Sequence, residues 1–205
     1  MTIDGKARSL PRSADPLGAS AFLFDLDGTI ADTSLAHGHA YKLAFAEIGH
    51  SISEHDFEPL AGLHFSEVIQ KLSGGMSIEI ANALHSRKTQ IFLEVAGKHV
   101  QPLPLLDLAR SIHRHLPIAL VTSATKKTAR CVLQVIDAEE VFQVMVVSED
   151  VRRFKPDPEP YLVACSRLGM RASDCVAFED SKSGYLSASR AGMRVVQVSE
   201  PFGKD

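Results

Sequence analysis

Short runs of apolar residues alternate with helical patterns along most of the 205-residue chain. The first run, residues 21–24, is too short for a helix before the turn residue Gly28 and predicts a buried strand. Four further strand-like runs lie at 117–121, 142–147, 175–178 and 194–198, with helical patterns near 125–136, 158–169 and 183–191. Continuous apolar strands separated by helices predict a parallel sheet covered on both faces, a Rossmann-like three-layer α/β/α core.

The stretch after the first strand differs from the rest because it contains helical patterns and almost no strand-like segment. These patterns cover about 34–49, 53–60, 64–73 and 77–98. Pro102 and Pro104 mark its end. This region predicts an α-helical cap domain inserted into the core.

The predicted domain organisation has three parts. Residues 1–19 are rich in Arg, Ser, Pro and Gly and predict a mobile leader. Residues 20–33 and 101–205 form the α/β catalytic core, and residues 34–100 form the helical cap.

Two carboxylates, Asp25 and Asp27, follow the first predicted strand. Residues two apart in an extended chain point to the same side, so both side chains leave the strand toward one place. Such close anions need a cation or a shared proton. Gly28 permits a sharp turn whose amide groups can face an anion. The pattern favours phosphoryl transfer, with one carboxylate as nucleophile, the other moving a proton, and a divalent cation screening the charge.

An acidic segment after a strand also has two simpler interpretations. A calcium-binding EF-hand loop is excluded because the sixth and twelfth positions counted from Asp25 are Ile30 and Ala36 instead of Gly and Glu. An ordinary acidic turn after a strand remains open when the segment is considered alone.

Polar residues also follow the other predicted strands, at the sheet edge where ligands bind. Thr122 and Ser123 offer hydroxyls before a helix, which is typical of anion binding but, taken alone, more typical of ordinary helix capping. Lys155, before a proline, is either a positioned cation for phosphate or a solvated loop lysine. Glu179 and Asp180 form a second acidic pair. Four carboxylates at one edge predict a hard cation, and Mg²⁺ matches this ligand set.

Composition restricts the partners of the protein. The net charge of −3 and ordinary apolar content give no reason to expect nucleic acid or an anionic membrane. No apolar run approaches membrane-spanning length, and no secretory signal is recognisable. Cys131, Cys165 and Cys175 lack metal-site spacing and predict reduced, mostly buried thiols. We therefore expect a cytoplasmic protein, and a monomer because no interface stripe is visible.

In chain order, these motifs resemble those of the haloacid dehalogenase-like hydrolase superfamily, in the branch with a helical cap after the first motif. Phosphoglycolate phosphatases and β-phosphoglucomutase belong to that branch. The resemblance extends over nearly the whole chain from Ala21. The matching residues are Asp25-Leu26-Asp27-Gly28-Thr29, Thr122-Ser123, Lys155-Pro156 and Glu179-Asp180-Ser181.

The resemblance implies a role for each motif. Asp25 would be the nucleophile, and Asp27 the general acid and base, which would also contact Mg²⁺ through its carbonyl. The phosphoryl group would contact Gly28, Thr29, Thr122, Ser123 and Lys155. The metal would be held by Asp25, Asp27, Glu179 and Asp180. Asp27 argues against the dehalogenases of the superfamily, in which no leaving group needs protonation.

The cap bears on whether the chain is a hydrolase or a mutase. β-Phosphoglucomutase-like proteins carry a Lys-Gly-x-x-Arg signature there, and the matching stretch here is Ala61-Gly62-Leu63-His64-Phe65. Both cationic positions are apolar, which favours water as the phosphoryl acceptor. His37 aligns with a cap-hinge histidine of those mutases, or is an ordinary helix histidine. The candidate substrate contacts of the cap are therefore His37, Gly62, His64 and Phe65.

We expect an Mg²⁺-dependent phosphatase that hydrolyses a small phosphomonoester, a sugar phosphate or phosphoglycolate-like acid, through an aspartyl-phosphate. One alternative is a β-phosphoglucomutase-like sugar phosphomutase. Another is a catalytically silent protein that binds a phosphorylated metabolite. Lys42 and Lys71 remain candidates for the Schiff-base lysine of phosphonate-cleaving relatives.

Overall fold

The computed structural model describes residues 18–52, 68, 71 and 76–198. Five parallel strands form one sheet in the order β5-β4-β1-β6-β7. They are β1 (Ala21–Phe24), β4 (Ile118–Val121), β5 (Val144–Val146), β6 (Cys175–Glu179) and β7 (Arg194–Gln197). Two further short strands, β2 (Ala31–Asp32) and β3 (Gln101–Pro102), form an antiparallel ribbon.

The described helices flank the sheet or belong to the segment between β2 and β3. They are α1 (Ser34–Glu47), α2 (Ile78–His99), α3 (Leu105–Ile112), α4 (Lys126–Val135), α5 (Glu159–Leu168) and α6 (Lys182–Arg190). In the described part of the chain, none of them combines the length and the apolar character needed to cross a membrane.

The central strand β1 shows why the core has three layers. Phe22 and Phe24 pack into one cluster, which includes side chains of α1, α2, α3 and α4. Ala21 and Leu23 point to the opposite face, where they pack with residues of α5 and α6 such as Tyr161. Strands buried on both faces read as continuous apolar runs, since neither face can be polar. The predicted Rossmann-like α/β/α core is confirmed.

Helices α1 and α2 pack together as an antiparallel pair. The start of α1 meets the end of α2, where the rings of His39 and His99 are 5.5 Å apart. The end of α1 meets the middle of α2, where Glu47 pairs with Arg87 at 2.7 Å. The β2–β3 ribbon lies at the base of this segment. The cap bounds of 34–100 stay a prediction, because the predicted helices over 53–60 and 64–73 lie largely outside the described residues.

The ribbon and α3 were not predicted. Each ribbon strand has only two residues, and one of them is Pro102, which lacks the N–H that a central strand needs and is confined to edges and strand starts. Helix α3 has eight residues and follows Pro104 directly. Periodicity over so short a segment does not distinguish a helix from a loop.

Candidate active site

The predicted catalytic motifs meet at the carboxyl edge of the sheet, around β1. This strand pairs with β4 on one side and β6 on the other. Asp25 follows β1, Thr122 follows β4, and Glu179 ends β6. From β1 the strand order runs to β4 and β5 on one side and to β6 and β7 on the other. Parallel α/β sheets bind ligands in the crevice that opens where the strand order changes direction in this way.

Lys155 is the buried cation of this crevice. Its Nζ atom lies 2.6 Å from Oδ1 of Asp25 and 2.6 Å from Oε1 of Glu179, and it donates to the Val121 carbonyl at 2.9 Å. Burial by itself would lower the pKa of Lys155, but the charges of Asp25 and Glu179 outweigh burial and raise it. Lys155 is therefore a fixed ammonium, and the solvated-loop interpretation is wrong.

The crevice holds more negative than positive charge. Burial raises the pKa of Asp25 well above its usual value; Lys155 opposes this rise, and the neighbouring carboxylates add to it. Burial and the charge of Glu179 also raise the pKa of Asp180, to about 6. Desolvation and mutual repulsion therefore penalise the charged carboxylates here, which is the condition that a bound cation relieves.

Three carboxylates match the ligand set of a hard cation. Oxygen atoms of Asp25, Glu179 and Asp180 all lie within 4.8 Å of one another. Mg²⁺ prefers carboxylate oxygens and keeps several waters, so these residues suit it. The Asp27 carboxylate is not in this group, and the metal contact through its carbonyl stays a prediction.

Two glycines allow the carboxylates to approach the backbone. Gly28 has a φ of +82°, and a Cβ there would overlap the Asp180 carboxylate. A Cβ on Gly184 in α6 would overlap the carboxylate of Glu179. The Gly28 N–H donates to the Ala31 carbonyl at 2.8 Å, and the phosphate contact of this turn stays a prediction.

Asp27 has a hydrogen-bonding environment different from that of Asp25. Its Oδ1 accepts from the Thr33 hydroxyl at 2.6 Å and lies 3.4 Å from Nε2 of His37. Thr122 Oγ1 is 3.5 Å from its other oxygen. Burial favours the protonated form of Asp27, but the hydrogen bonds from His37 and Thr33, with the charge of Lys88, outweigh burial and lower its pKa. The surroundings of the two motif carboxylates therefore shift their pKa values in opposite directions.

A second buried lysine, Lys88 of α2, supports His37. Its Nζ atom lies 2.7 Å from Nδ1 of His37 and 4.7 Å from the ring centre of Tyr41. An ammonium only donates, so Nδ1 accepts and Nε2 carries the proton that faces Asp27. Burial lowers the pKa of Lys88 to about 8, with opposition from Asp27. Burial and the Lys88 charge lower the pKa of His37, which keeps the imidazole neutral.

Comparison with known proteins identifies the family. A family model described as haloacid dehalogenase-like hydrolase matches residues 22–198. The chain belongs to the haloacid dehalogenase-like hydrolase family. It is 30% identical to the fructose-1-phosphate phosphatase YqaB of Escherichia coli over 87% of this chain and 96% of the relative. It is also 30% identical to a phosphorylated carbohydrates phosphatase of Thermotoga maritima, over 84% of this chain and 82% of the relative.

A solved structure of this haloacid dehalogenase-like family agrees with the fold. CbbY from Rhodobacter sphaeroides, in complex with phosphate, matches with a TM-score of 0.79 and 27% identity, over 88% of this chain and 86% of that one. The resemblance inferred from the motifs and the assignment to a hydrolase family with phosphatase members are both confirmed.

The remaining predicted site residues divide into those near the crevice and those outside the described residues. Thr29 donates to the Asp180 carboxylate at 3.2 Å, and Thr122 accepts from the Ala124 amide at 3.0 Å. Ser123 is half-buried beside Thr122. The phosphate contacts of these haloacid dehalogenase-like motifs stay predictions. The cap candidates Gly62, His64 and Phe65 lie outside the described residues.

Sequence reasoning missed two residues of the site. Tyr161 is fully buried on α5 and donates to Oε1 of Glu179, while burial raises its pKa and keeps the phenol protonated. Lys88 follows an arginine on an amphipathic helix, where a lysine predicts a solvated position. No sequence signal separated these two residues from an ordinary core tyrosine and a surface lysine. The two Schiff-base candidates, Lys42 and Lys71, are exposed.

Proposed function

We propose that this protein is an Mg²⁺-dependent phosphatase that hydrolyses a small phosphorylated sugar through an aspartyl-phosphate. One observation carries the proposal. Asp25 and Asp27 lie at one strand end, yet Asp25 faces Lys155 and the acidic cluster whereas Asp27 faces Thr33 and His37. A nucleophile and a proton carrier need this difference in surroundings.

The substrate class rests on relatives with substantial identity. They include the two phosphatases described above and the hexitol phosphatase A of Escherichia coli, which is 32% identical over 88% of this chain. The names of these relatives give phosphorylated sugars or sugar alcohols as their substrates. The same class is proposed here.

In the proposed first step, Asp25 attacks as the ionised carboxylate, whose charge Lys155 and a bound cation would stabilise. Its oxygen bonds to phosphorus and the ester P–O bond breaks. Asp27 gives its proton to the leaving sugar oxygen. The lowered pKa of Asp27 keeps this carboxyl ionised in the free site. The negative charge of the substrate phosphate raises the pKa of Asp27, so Asp27 acquires its proton when the substrate binds. Lys155 holds Asp25 in place and neutralises charge at the phosphoryl group.

In the proposed second step, Asp27 takes a proton from water as the water attacks the phosphorus of the aspartyl-phosphate. The bond between phosphorus and Asp25 breaks, and inorganic phosphate leaves. When bound by Asp25, Glu179 and Asp180, Mg²⁺ would supply charge neutralisation that one lysine cannot provide alone.

The mutase alternative keeps one specific observation in its favour. His37, which aligns with the mutase histidine, lies within reach of Asp27. The segment 61–65, where the mutase signature is absent from the sequence, lies outside the described residues. Hydrolase and mutase activity therefore both need to be measured.

Phosphate release from a panel of sugar phosphates tests the proposal, with Mg²⁺ and with chelator. Glucose 1-phosphate is included with and without its bisphosphate activator. Asp25→Asn should abolish turnover in a folded protein, and Asp107→Asn, at an exposed carboxylate on α3, is the matched control. Activator-dependent conversion of glucose 1-phosphate without free phosphate would establish the mutase instead. Full activity of Asp25→Asn would refute the aspartyl-phosphate mechanism.

A further inference from the structure

Cys165 and Cys175 lie side by side in the core, and the proposed reaction uses neither. Their Sγ atoms are 3.7 Å apart. Cys165 is on α5 and 4% exposed, and Cys175 is the first residue of β6 and fully buried. A disulfide bond is about 2.05 Å long, so linking these sulfurs requires them to approach each other by roughly 1.6 Å.

Hydrogen bonding makes the two thiols unequal. The thiol of Cys175 donates to the Arg171 carbonyl at 3.3 Å, which leaves Cys165 as the donor in the contact between the sulfurs. This hydrogen bond lowers the pKa of Cys175 against the opposing effect of burial, and it raises the pKa of Cys165. Cys175 is therefore the sulfur that reaches the reactive thiolate form more readily.

The same two elements support the catalytic lysine. Tyr161 lies four residues before Cys165 on α5, and Glu179 lies four residues after Cys175 on β6, so each shares a face with its cysteine. The Tyr161 hydroxyl donates to Glu179, and that carboxylate holds Lys155. A change in the packing of α5 on β6 at the cysteines would therefore act on the Tyr161–Glu179 contact through these two elements.

We propose that Cys165 and Cys175 are a reversible oxidation site, at which a hydroperoxide links the two thiols as a disulfide and thereby lowers the activity. The loss of activity rests on the proposed function, whereas the linkage does not. Linking the sulfurs pulls α5 toward the start of β6 and displaces Tyr161 from Glu179.

The chemistry balances with hydrogen peroxide as the oxidant. The Cys175 sulfur attacks one peroxide oxygen, the O–O bond breaks, and the departing hydroxide takes the Cys175 proton, which gives a sulfenic acid and water. The Cys165 sulfur then attacks the sulfenic sulfur, the S–O bond breaks, and hydroxide leaves with the Cys165 proton as a second water. The two sulfurs lose two electrons, and the peroxide gains them. A dithiol reductant reverses the linkage.

The test uses the full chain with Cys131→Ser, because Cys131 is the third and more exposed thiol. Peroxide should lower the intact mass by two hydrogens and join the peptides that contain Cys165 and Cys175. Phosphate release should fall several-fold and recover with dithiothreitol. A second chain that also carries Cys165→Ser and Cys175→Ser should keep its activity, which controls for oxidation of methionines.

Failure of this inference is distinguishable from failure of the proposed function. If the reduced protein releases no phosphate from any ester, the proposed function fails. The oxidation site is then tested by mass and by amide hydrogen exchange in the segments around Tyr161 and Glu179, which should change on oxidation. Sulfurs that gain oxygen without linking would overturn the inference. So would a disulfide that leaves both exchange and phosphate release unchanged.

Discussion

The Nζ atom of Lys88 lies 2.7 Å from Nδ1 of His37, and the other nitrogen of the same ring lies 3.4 Å from Asp27. Lys88 is on α2 and His37 on α1, whereas Asp27 follows β1 of the sheet. The lysine sets the tautomer of the imidazole, and the imidazole presents its N–H to the proposed proton carrier. The proposed proton transfer is thus connected to both described helices of the inserted segment.

Lys88→Met should lower kcat by about tenfold to a hundredfold, with a smaller change in KM, because the proton on His37 is no longer fixed toward Asp27. The substitution keeps the apolar stem and removes the donor. Lys98→Met, at an exposed position of the same helix, is the matched control and should leave kcat unchanged. Steady-state kinetics on the best substrate measures both. An unchanged kcat in Lys88→Met would show that His37 does not depend on this lysine.

Lys88→Met should also stabilise the protein at neutral pH. The folded chain releases the Lys88 proton near pH 8 and the unfolded chain near the ordinary value of 10.5. Below pH 8 the folded state therefore carries the full cost of a buried ammonium, roughly 3 kcal/mol, and stability rises with pH between about 8 and 10.5 as this cost disappears. Lys88→Met removes the cost.

Urea unfolding at neutral pH and above pH 10 measures this effect. The gain in the free energy of unfolding from Lys88→Met should be largest at neutral pH and shrink above pH 10. A gain that is equal at both pH values, or a loss at neutral pH, would contradict the buried-ammonium explanation. A more stable but less active variant is typical of a strained functional site.

The contrast between the two lysines shows what the sequence could predict. Lys155 follows a strand and precedes a proline, so its position at the sheet edge follows from the topology alone. Lys88 reaches the site only because α2 packs antiparallel on α1, and helix packing partners cannot be read from a single sequence. The acidic motifs were predictable for the same reason as Lys155. The hydrogen bond from the Gly28 N–H to the Ala31 carbonyl was not predictable, since it depends on the local turn.

Mg²⁺ binding should follow the ionisation of Asp180. The pKa of this carboxyl is about 6, whereas its ordinary value is 3.8, so between these pH values the folded state holds a proton that the unfolded chain has lost. Without metal, stability should therefore fall as pH rises through this window. A cation that binds only the ionised site should stabilise the protein at neutral pH and much less at pH values well below 6.

Thermal unfolding with and without Mg²⁺ measures this dependence independently of activity. Wild type should show a rise in Tm with Mg²⁺ at neutral pH. Asp180→Asn should be more stable than wild type without metal and should lose the Mg²⁺ response, while Asp107→Asn should keep it. A Mg²⁺ response that survives in Asp180→Asn would place the metal elsewhere.

Gly184→Ala should destabilise the protein although alanine is the better helix former. In α6 an added methyl group would overlap the Glu179 carboxylate, so that this group, which holds Lys155, must move. Overpacking of this kind costs about 1–3 kcal/mol, more than the roughly 1 kcal/mol that alanine gains over glycine in a helix. Displacement of Lys155 should also lower kcat.

Gly97→Ala is the matched control for this substitution, because Gly97 is helical as well and a Cβ there meets nothing within 4 Å. It should raise the free energy of unfolding by up to about 1 kcal/mol and leave kcat unchanged. If both alanine variants gained stability and kept wild-type kcat, the Glu179 carboxylate would have room to move without disturbing Lys155. The free energy of unfolding is therefore expected to fall in Gly184→Ala and to rise in Gly97→Ala. The difference between the two changes measures how tightly the Glu179 carboxylate is held.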